Sequence, residues 1–347
     1  MRTLRGAHSR SGLRRLLIPV LVVTSLILAT GDFAHADELA ADKTSTKALT
    51  LTQLEGYISN SVKIGAAPNL MKTTPPLQYE VSDGLTLPMT HPCYSDGKSL
   101  ARNPATQCVW GDKKATRSIF LFGDSQAASW LSAMNQIGKA NDYKVYLLAE
   151  ASCPPWEPSG TSNFTLSSGM TIDQCISVRS KEVQFANSIH PAVIVLAGDT
   201  NEISNGDWNT TPADYENEMA AVVASLRPSR SKIVLLSEVP QYNVTTTNPM
   251  TPTTCLTVHG KDVIPCLLSP QYVLESGISQ GLISASEKLH IPLINILPLF
   301  CTSKLCPLTV TTPAGTFLTH FDQYHMSKFY SKYISTALMQ LMAPAFK

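Results

Sequence analysis

Five continuous apolar runs constrain this chain more than any other feature. They read SIFLFGD (Ser118 to Asp124), KVYLLA (Lys144 to Ala149), AVIVLAGD (Ala192 to Asp199), KIVLLSE (Lys232 to Glu238) and IPLINIL (Ile291 to Leu297). They run continuously apolar instead of alternating with polar residues, which is what strands covered on both faces require. Between them lie stretches with helical spacing: AASWLSAMNQIGKAN, CISVRSKEVQFANSI, ADYENEMAAVVASLR and SPQYVLESGISQGLISASEKL. A last helix is expected over about Ser327 to Met342. Strand, helix, strand in repetition predicts an α/β fold, with a five-stranded parallel sheet between two helical layers. Such sheets bind ligands at the carboxyl ends of their strands. Those ends read GDSQ, AEASCPP, AGDTNE and SEVPQ.

The chain has 347 residues, 44% hydrophobic and 15% charged, enough for a sizeable core and too apolar for general disorder. A formal net charge of +1 gives no support for nucleic-acid binding. The first 36 residues read as a cleavable secretory signal. Arg2, Arg5, Arg10, Arg14 and Arg15 form a basic region, Leu16 to Thr30 an apolar one, and Ala34-His35-Ala36 a cleavage site. Cleavage after Ala36 leaves a slightly acidic mature chain with no further run long enough to span a membrane. The rival reading keeps the segment as an uncleaved anchor. Residues 37–91 are polar and Pro-rich, with LTQLEGYISNSV as one short helix, and read as a linker or strap. Residues 92–347 form the α/β domain.

Eight cysteines suit an exported chain. They fall into four local couples, so the expected disulfides are Cys93–Cys108, Cys153–Cys175, Cys255–Cys266 and Cys301–Cys306, each stapling a loop. CxxC spacing is absent, which argues against zinc.

Two short motifs carry chemistry. Gly123-Asp124-Ser125 ends the first apolar run and opens a helix. A serine there presents its hydroxyl beside helix N–H groups and the positive dipole end, the ingredients of an oxyanion hole. The bland alternative is a turn with serine as N-cap. GxSxG is absent, so this is not the α/β-hydrolase elbow. Asp322 and His325 stand with two residues, Gln323 and Tyr324, between them where the last helix begins. They offer a base and the acid that orients it. The alternative is an N-capping aspartate and a surface histidine.

With those motifs the sequence resembles the SGNH hydrolase superfamily. The closer likeness is to extracytoplasmic SGNH domains fused to membrane acyltransferase-3 proteins, which O-acylate bacterial surface polysaccharides. CVWGD, FLFGDSQAASW, SCPPW followed by Cys175, and FDQYHMS carry it, over roughly Pro92 to the end. The resemblance implies a flavodoxin-like three-layer fold. It implies Ser125 as nucleophile, His325 as general base and Asp322 as its orienting acid. It implies oxyanion donors from Ser125, from Ser152 in place of the family's glycine, and from Asn201 in a stretched third block. Gln126 replaces the family's usual histidine and, with Asp199, is a candidate to face substrate. Trp156 and Trp208, in loops after strand ends, are candidate sugar platforms, whereas Trp130 has core spacing.

The expected function is therefore that of a secreted serine esterase or acyltransferase acting on acyl groups of a cell-envelope glycan. No metal or organic cofactor is required, and a separately encoded membrane acyltransferase is the expected partner. The other reading is a non-catalytic glycan-binding or scaffold module, suggested by Gln126, Ser152 and the stretched third block.

Overall fold

The structure is a computed structural model. It describes residues 49–63, 72–74, 86–88, 91–95, 103–156, 165–166, 168–198, 212–242, 251–260, 262–270 and 276–346. The signal segment and most of residues 64–90 lie outside them, as do Asp199, Asn201 and Trp208.

The central sheet is built on the five apolar runs. They become β4 (Arg117–Gly123), β5 (Tyr143–Glu150), β6 (Val193–Ala197), β7 (Lys232–Leu236) and β8 (Leu293–Ile294), parallel and in the order β5-β4-β6-β7-β8. The second strand in sequence thus lies outside the first, as in flavodoxin-like sheets, and the order reverses between β4 and β6. Two short strands widen the β5 edge beyond the expected five. β2 (Tyr94–Ser95) runs parallel to it, and β3 (Val109–Gly111) antiparallel. These pieces are too short to register as apolar runs.

Helices occupy both faces. α3 (Ser125–Ala140) packs with α8 (Lys328–Tyr333) and α9 (Ser335–Met342), while α4 (Ile172–Ile189), α5 (Pro212–Leu226) and α7 (Ser276–Leu289) pack in series. The expected last helix is in two parts, interrupted at Ile334 (φ −83°, ψ 4°). Ile334 N–H still donates to Tyr330 O and Leu338 N–H to Ile334 O, so the interruption is a bend. α3 begins sharply because Asp124 is its N-cap, its carboxylate accepting from Gln126 N–H at 2.8 Å.

A second sheet pairs β1 (Thr73–Thr74) in parallel with β10 (Gly315–Leu318), which forms a hairpin with β9 (Thr309–Thr312). α1 (Leu51–Ser61) lies against β9 and α9. Its Leu54 and Ile58 enter the core, its Ser61 Oγ accepts from Thr311 N–H, and its Leu51 N–H donates to Gln340 Oε1.

All eight cysteines are paired as the sequence predicts. The cysteines are more deeply placed than loop staples: all eight lie within the apolar core.

Candidate active site

The site forms where β4 ends beside β6. Gly123 is required there by space, because a Cβ would stand 1.7 Å from Ala197 O on the neighbouring strand. The chain then turns through Asp124 into α3. Asp124 takes the capping role, so Ser125 occupies the first helical position. The reading of Ser125 as N-cap therefore falls, and its hydroxyl is not spent on the cap. Ser125 is partly exposed at the sheet's carboxyl edge, where its N–H belongs to the helix donors that have no intrahelical carbonyl.

Asp322 and His325 lie in the loop between β10 and α8. They precede the helix and do not open it, since Ser327 is its N-cap. Phe321 N–H donates to His325 O, and Ser327 N–H to Thr319 O, closing the loop on itself. Asp322 organises its turn: Oδ1 accepts from the N–H groups of Tyr324 (2.8 Å) and His325 (2.7 Å). Oδ2 lies 2.7 Å from His325 Nδ1. A carboxylate only accepts, so Nδ1 carries the proton and Nε2 is the basic nitrogen. Burial opposes ionisation of Asp322. The His325 hydrogen bond and charge and the two N–H donors outweigh it, holding its carboxyl below the usual range.

The loop is pinned from two sides. Tyr242, just after β7, donates its N–H to Gln323 O at 2.7 Å. Gln126, 1% exposed, donates from Nε2 to Tyr324 O at 2.7 Å. Further along α3, Ala133 N–H donates to Ser331 Oγ at 3.1 Å, docking α8 as well. Gln126 is thus a buried latch between the Ser125 helix and the His325 loop. That corrects its reading as a substrate-facing residue.

On the β5 side, Cys153 N–H donates to Glu150 O and closes a turn in which Ser152 has φ +61°. This is the left-handed region that favours glycine. The position keeps the backbone shape a glycine would supply, with a serine bearing the strain. In the segment that follows, Trp156 is only 2% exposed and packs edge-on against Tyr215. A Cβ on Gly198 would sit 2.9 Å from the Trp156 ring and 2.5 Å from Pro155 Cδ, so the loop is pressed onto the end of β6. Trp156 is therefore core and is not a sugar platform. Trp130 is core as expected.

Two further residues matter here. His320 is buried, its Nδ1 3.0 Å from Thr319 Oγ1 and its ring 4.5 Å from that of Tyr242. Burial pushes its pKa down to about 3, against the opposing influence of Asp322 and of the Pro240 main chain. Arg179 is also buried, at 3% exposure. It donates to Gly123 O and Cys153 O from Nη2, to Pro154 O from Nε, and to Glu182 from Nη1. One signal was present: Cys175, Arg179, Glu182 and Ala186 recur at helical spacing, and all face the core.

No curated protein matches this sequence. Among solved structures, the chain is similar to the periplasmic domain of a lipopolysaccharide acetyltransferase from Salmonella ser. Paratyphi A. The identity is 19%, over 73% of this chain and 90% of that one, with a TM-score of 0.52. A GDSL-like lipase from Bacteroides thetaiotaomicron VPI-5482 matches at 16% identity, over 67% of this chain and 90% of that one, with a TM-score of 0.37. The family model "SGNH domain (fused to AT3 domains)" matches residues 92–340, a span holding both the Ser125 turn and the Asp322–His325 loop, and the chain belongs to that family.

Proposed function

We propose that the chain is an exported serine-dependent O-acyl esterase or O-acyltransferase acting on a bacterial cell-envelope glycan. One observation carries the reading. The Asp322–His325 pair, set for Nε2 to act as base, is latched through Gln126 and Tyr324 to the helix that Ser125 opens.

Ser125 Oγ attacks the acyl carbonyl while His325 Nε2 takes its proton. Asp322 stabilises the imidazolium that forms. The oxyanion is received by the N–H groups of Ser125 and Ser152, with Asn201 as the third donor. The tetrahedral species collapses, His325 returns the proton to the departing alcohol, and an acyl-Ser125 ester remains. Water then completes an esterase, or a sugar hydroxyl completes a transferase. Four disulfides fit an oxidising compartment and hence export, with cleavage after Ala36. The glycan substrate, and a membrane acyltransferase as acyl source, are suggested by the family's fused architecture. The Salmonella domain named above offers a parallel for the substrate class.

The binding-module reading is weaker. Two of the departures that raised it have structural roles, Gln126 as a latch and Ser152 in a left-handed turn. The test is incubation of the chain from Asp37 onward with acylated envelope glycans and aryl esters, read by mass spectrometry. Acyl loss or transfer that disappears in Ser125→Ala supports the proposal. Glycan binding with no acyl turnover would favour the binding module.

A further inference from the structure

Strands β4 and β5 pair in register as far as Gly123 and Ala149, and beyond that point their chains part. One continues through Asp124 to Ser125, and the other through Ala151 and Ser152 to Pro155. The two N–H groups proposed to receive the oxyanion lie on these diverging segments. β4–β5 pairing no longer sets their separation.

Arg179 supplies the missing connection. From α4 its guanidinium reaches Gly123 O at 2.7 Å on the first segment, and Cys153 O and Pro154 O (2.8 Å) on the second. Those carbonyls flank Ser125 and Ser152 by one or two residues. Glu182 accepts from the remaining Nη1, and the guanidinium carbon lies 4.9 Å from the centroid of the Phe122 ring. Only a planar fork of five N–H donors can hold three carbonyls and a carboxylate at once; a lysine ammonium has three donors and no plane. The Cys153–Cys175 disulfide fixes the same loop to α4, one turn before Arg179.

We propose that Arg179 is a positioning residue that fixes the spacing of the two oxyanion donors by clamping the ends of β4 and β5 together. The proposal rests on the serine-hydrolase reading above. Arg179 acts through Gly123, Cys153 and Pro154 and does not touch the reacting atoms.

Two variants test it. Arg179→Lys keeps the charge opposite Glu182. The double variant Arg179→Leu/Glu182→Leu removes the buried ion pair as a unit, a change often tolerated by folded proteins. Each is folded, checked by circular dichroism, and assayed on an aryl acetate and with a fluorophosphonate, which requires the same oxyanion site. The expected result is a fall in kcat of roughly 100-fold, the scale set by about 1 Å of misplacement. KM stays within about twofold, because the interaction matters in the transition state. The acid limb of the pH profile does not move, since Asp322 and His325 are untouched. Fluorophosphonate labelling slows by the same factor but still reaches full occupancy. A merely structural role predicts the opposite pattern: fewer labelled molecules, each labelled at the wild-type rate. That pattern, unchanged kcat, or failure of both variants to fold would overturn the proposal. If wild type and Ser125→Ala are equally unlabelled, the hydrolase reading fails and takes this proposal with it. If wild type is labelled, Ser125→Ala is not and the Arg179 variants match wild type, this proposal alone fails.

Discussion

Gln126 Nε2 donates to Tyr324 O across 2.7 Å, joining the residue after Ser125 to the residue before His325. The two halves of the proposed catalytic unit come from positions about 200 residues apart in sequence, and this hydrogen bond joins their segments. Replacing Gln126 by Leu removes the donor that it gives the Tyr324 carbonyl. The expected cost is about 1–3 kcal/mol of stability, the penalty for an unmade buried hydrogen bond. A fall in kcat of about tenfold is expected as the His325 loop loosens, read in parallel by urea unfolding and steady-state kinetics. Wild-type kcat in a destabilised Gln126→Leu protein would show that the latch serves the fold alone.

Asp322→Asn keeps the shape of the side chain and removes its charge. It is expected to lower kcat by about 10³- to 10⁴-fold, through loss of the imidazolium partner and of the tautomer it selects. Because its carboxyl is held below its ordinary 3.8, Asp322 stays ionised through the mildly acid range. The acid limb of log kcat/KM against pH should therefore have a slope of about one, reporting a single group. A slope of two would mean that both titrate together.

His320 gives the fold an acid sensitivity of its own. Its pKa is about 3 in the folded protein against an ordinary 6.5, so between those values the unfolded chain binds the extra proton. Its contribution is fully present above 6.5 and is lost as pH falls through that window. Asp322 adds its own loss only below its ordinary 3.8. Glu182, its carboxyl pushed up to about 8 by burial, works in the opposite direction over part of this window, so the test is a difference: from about pH 7 to pH 4, acidification should lower the unfolding free energy of the wild type relative to His320→Asn. Equal slopes in the two proteins would rule this assignment out.

The disulfides separate stability from chemistry. Removing Cys153–Cys175 by paired Ala substitution should cost about 2–5 kcal/mol and also depress kcat, because Cys153 O is part of the Arg179 clamp. Removing Cys255–Cys266, whose bridge closes the loop after α6 (Pro252–Val258), should cost stability with kcat preserved in the folded protein. Thermal melts with kcat per folded molecule distinguish the two. Equal kcat losses would contradict the assignment.

The sheet was legible because burial on both faces leaves no polar position in a strand, and the runs at Ile119–Phe122 and Val193–Leu196 show that directly. The disulfides were legible because each partner lies nearby in the chain. The β9–β10 hairpin was not, since TVTT and GTFL offer four-residue strands without a long apolar face. Arg179 was overlooked because an arginine in an amphipathic helix ordinarily marks the solvent face. Its burial depends on three carbonyls brought together from other segments. Trp156 misled for the converse reason: it follows a strand end, but Tyr215 and Gly198 close over it. Gln126 read as a departure from the family pattern, and only its long-range partner shows what it does.

The central claim is that Ser125 is a nucleophile served by His325. Intact-mass and peptide mapping after reaction with a fluorophosphonate test it most directly. A single adduct on Ser125, absent from Ser125→Ala and strongly slowed in His325→Ala, is the predicted result. No adduct on wild-type protein, or an adduct elsewhere that survives in Ser125→Ala, would contradict it.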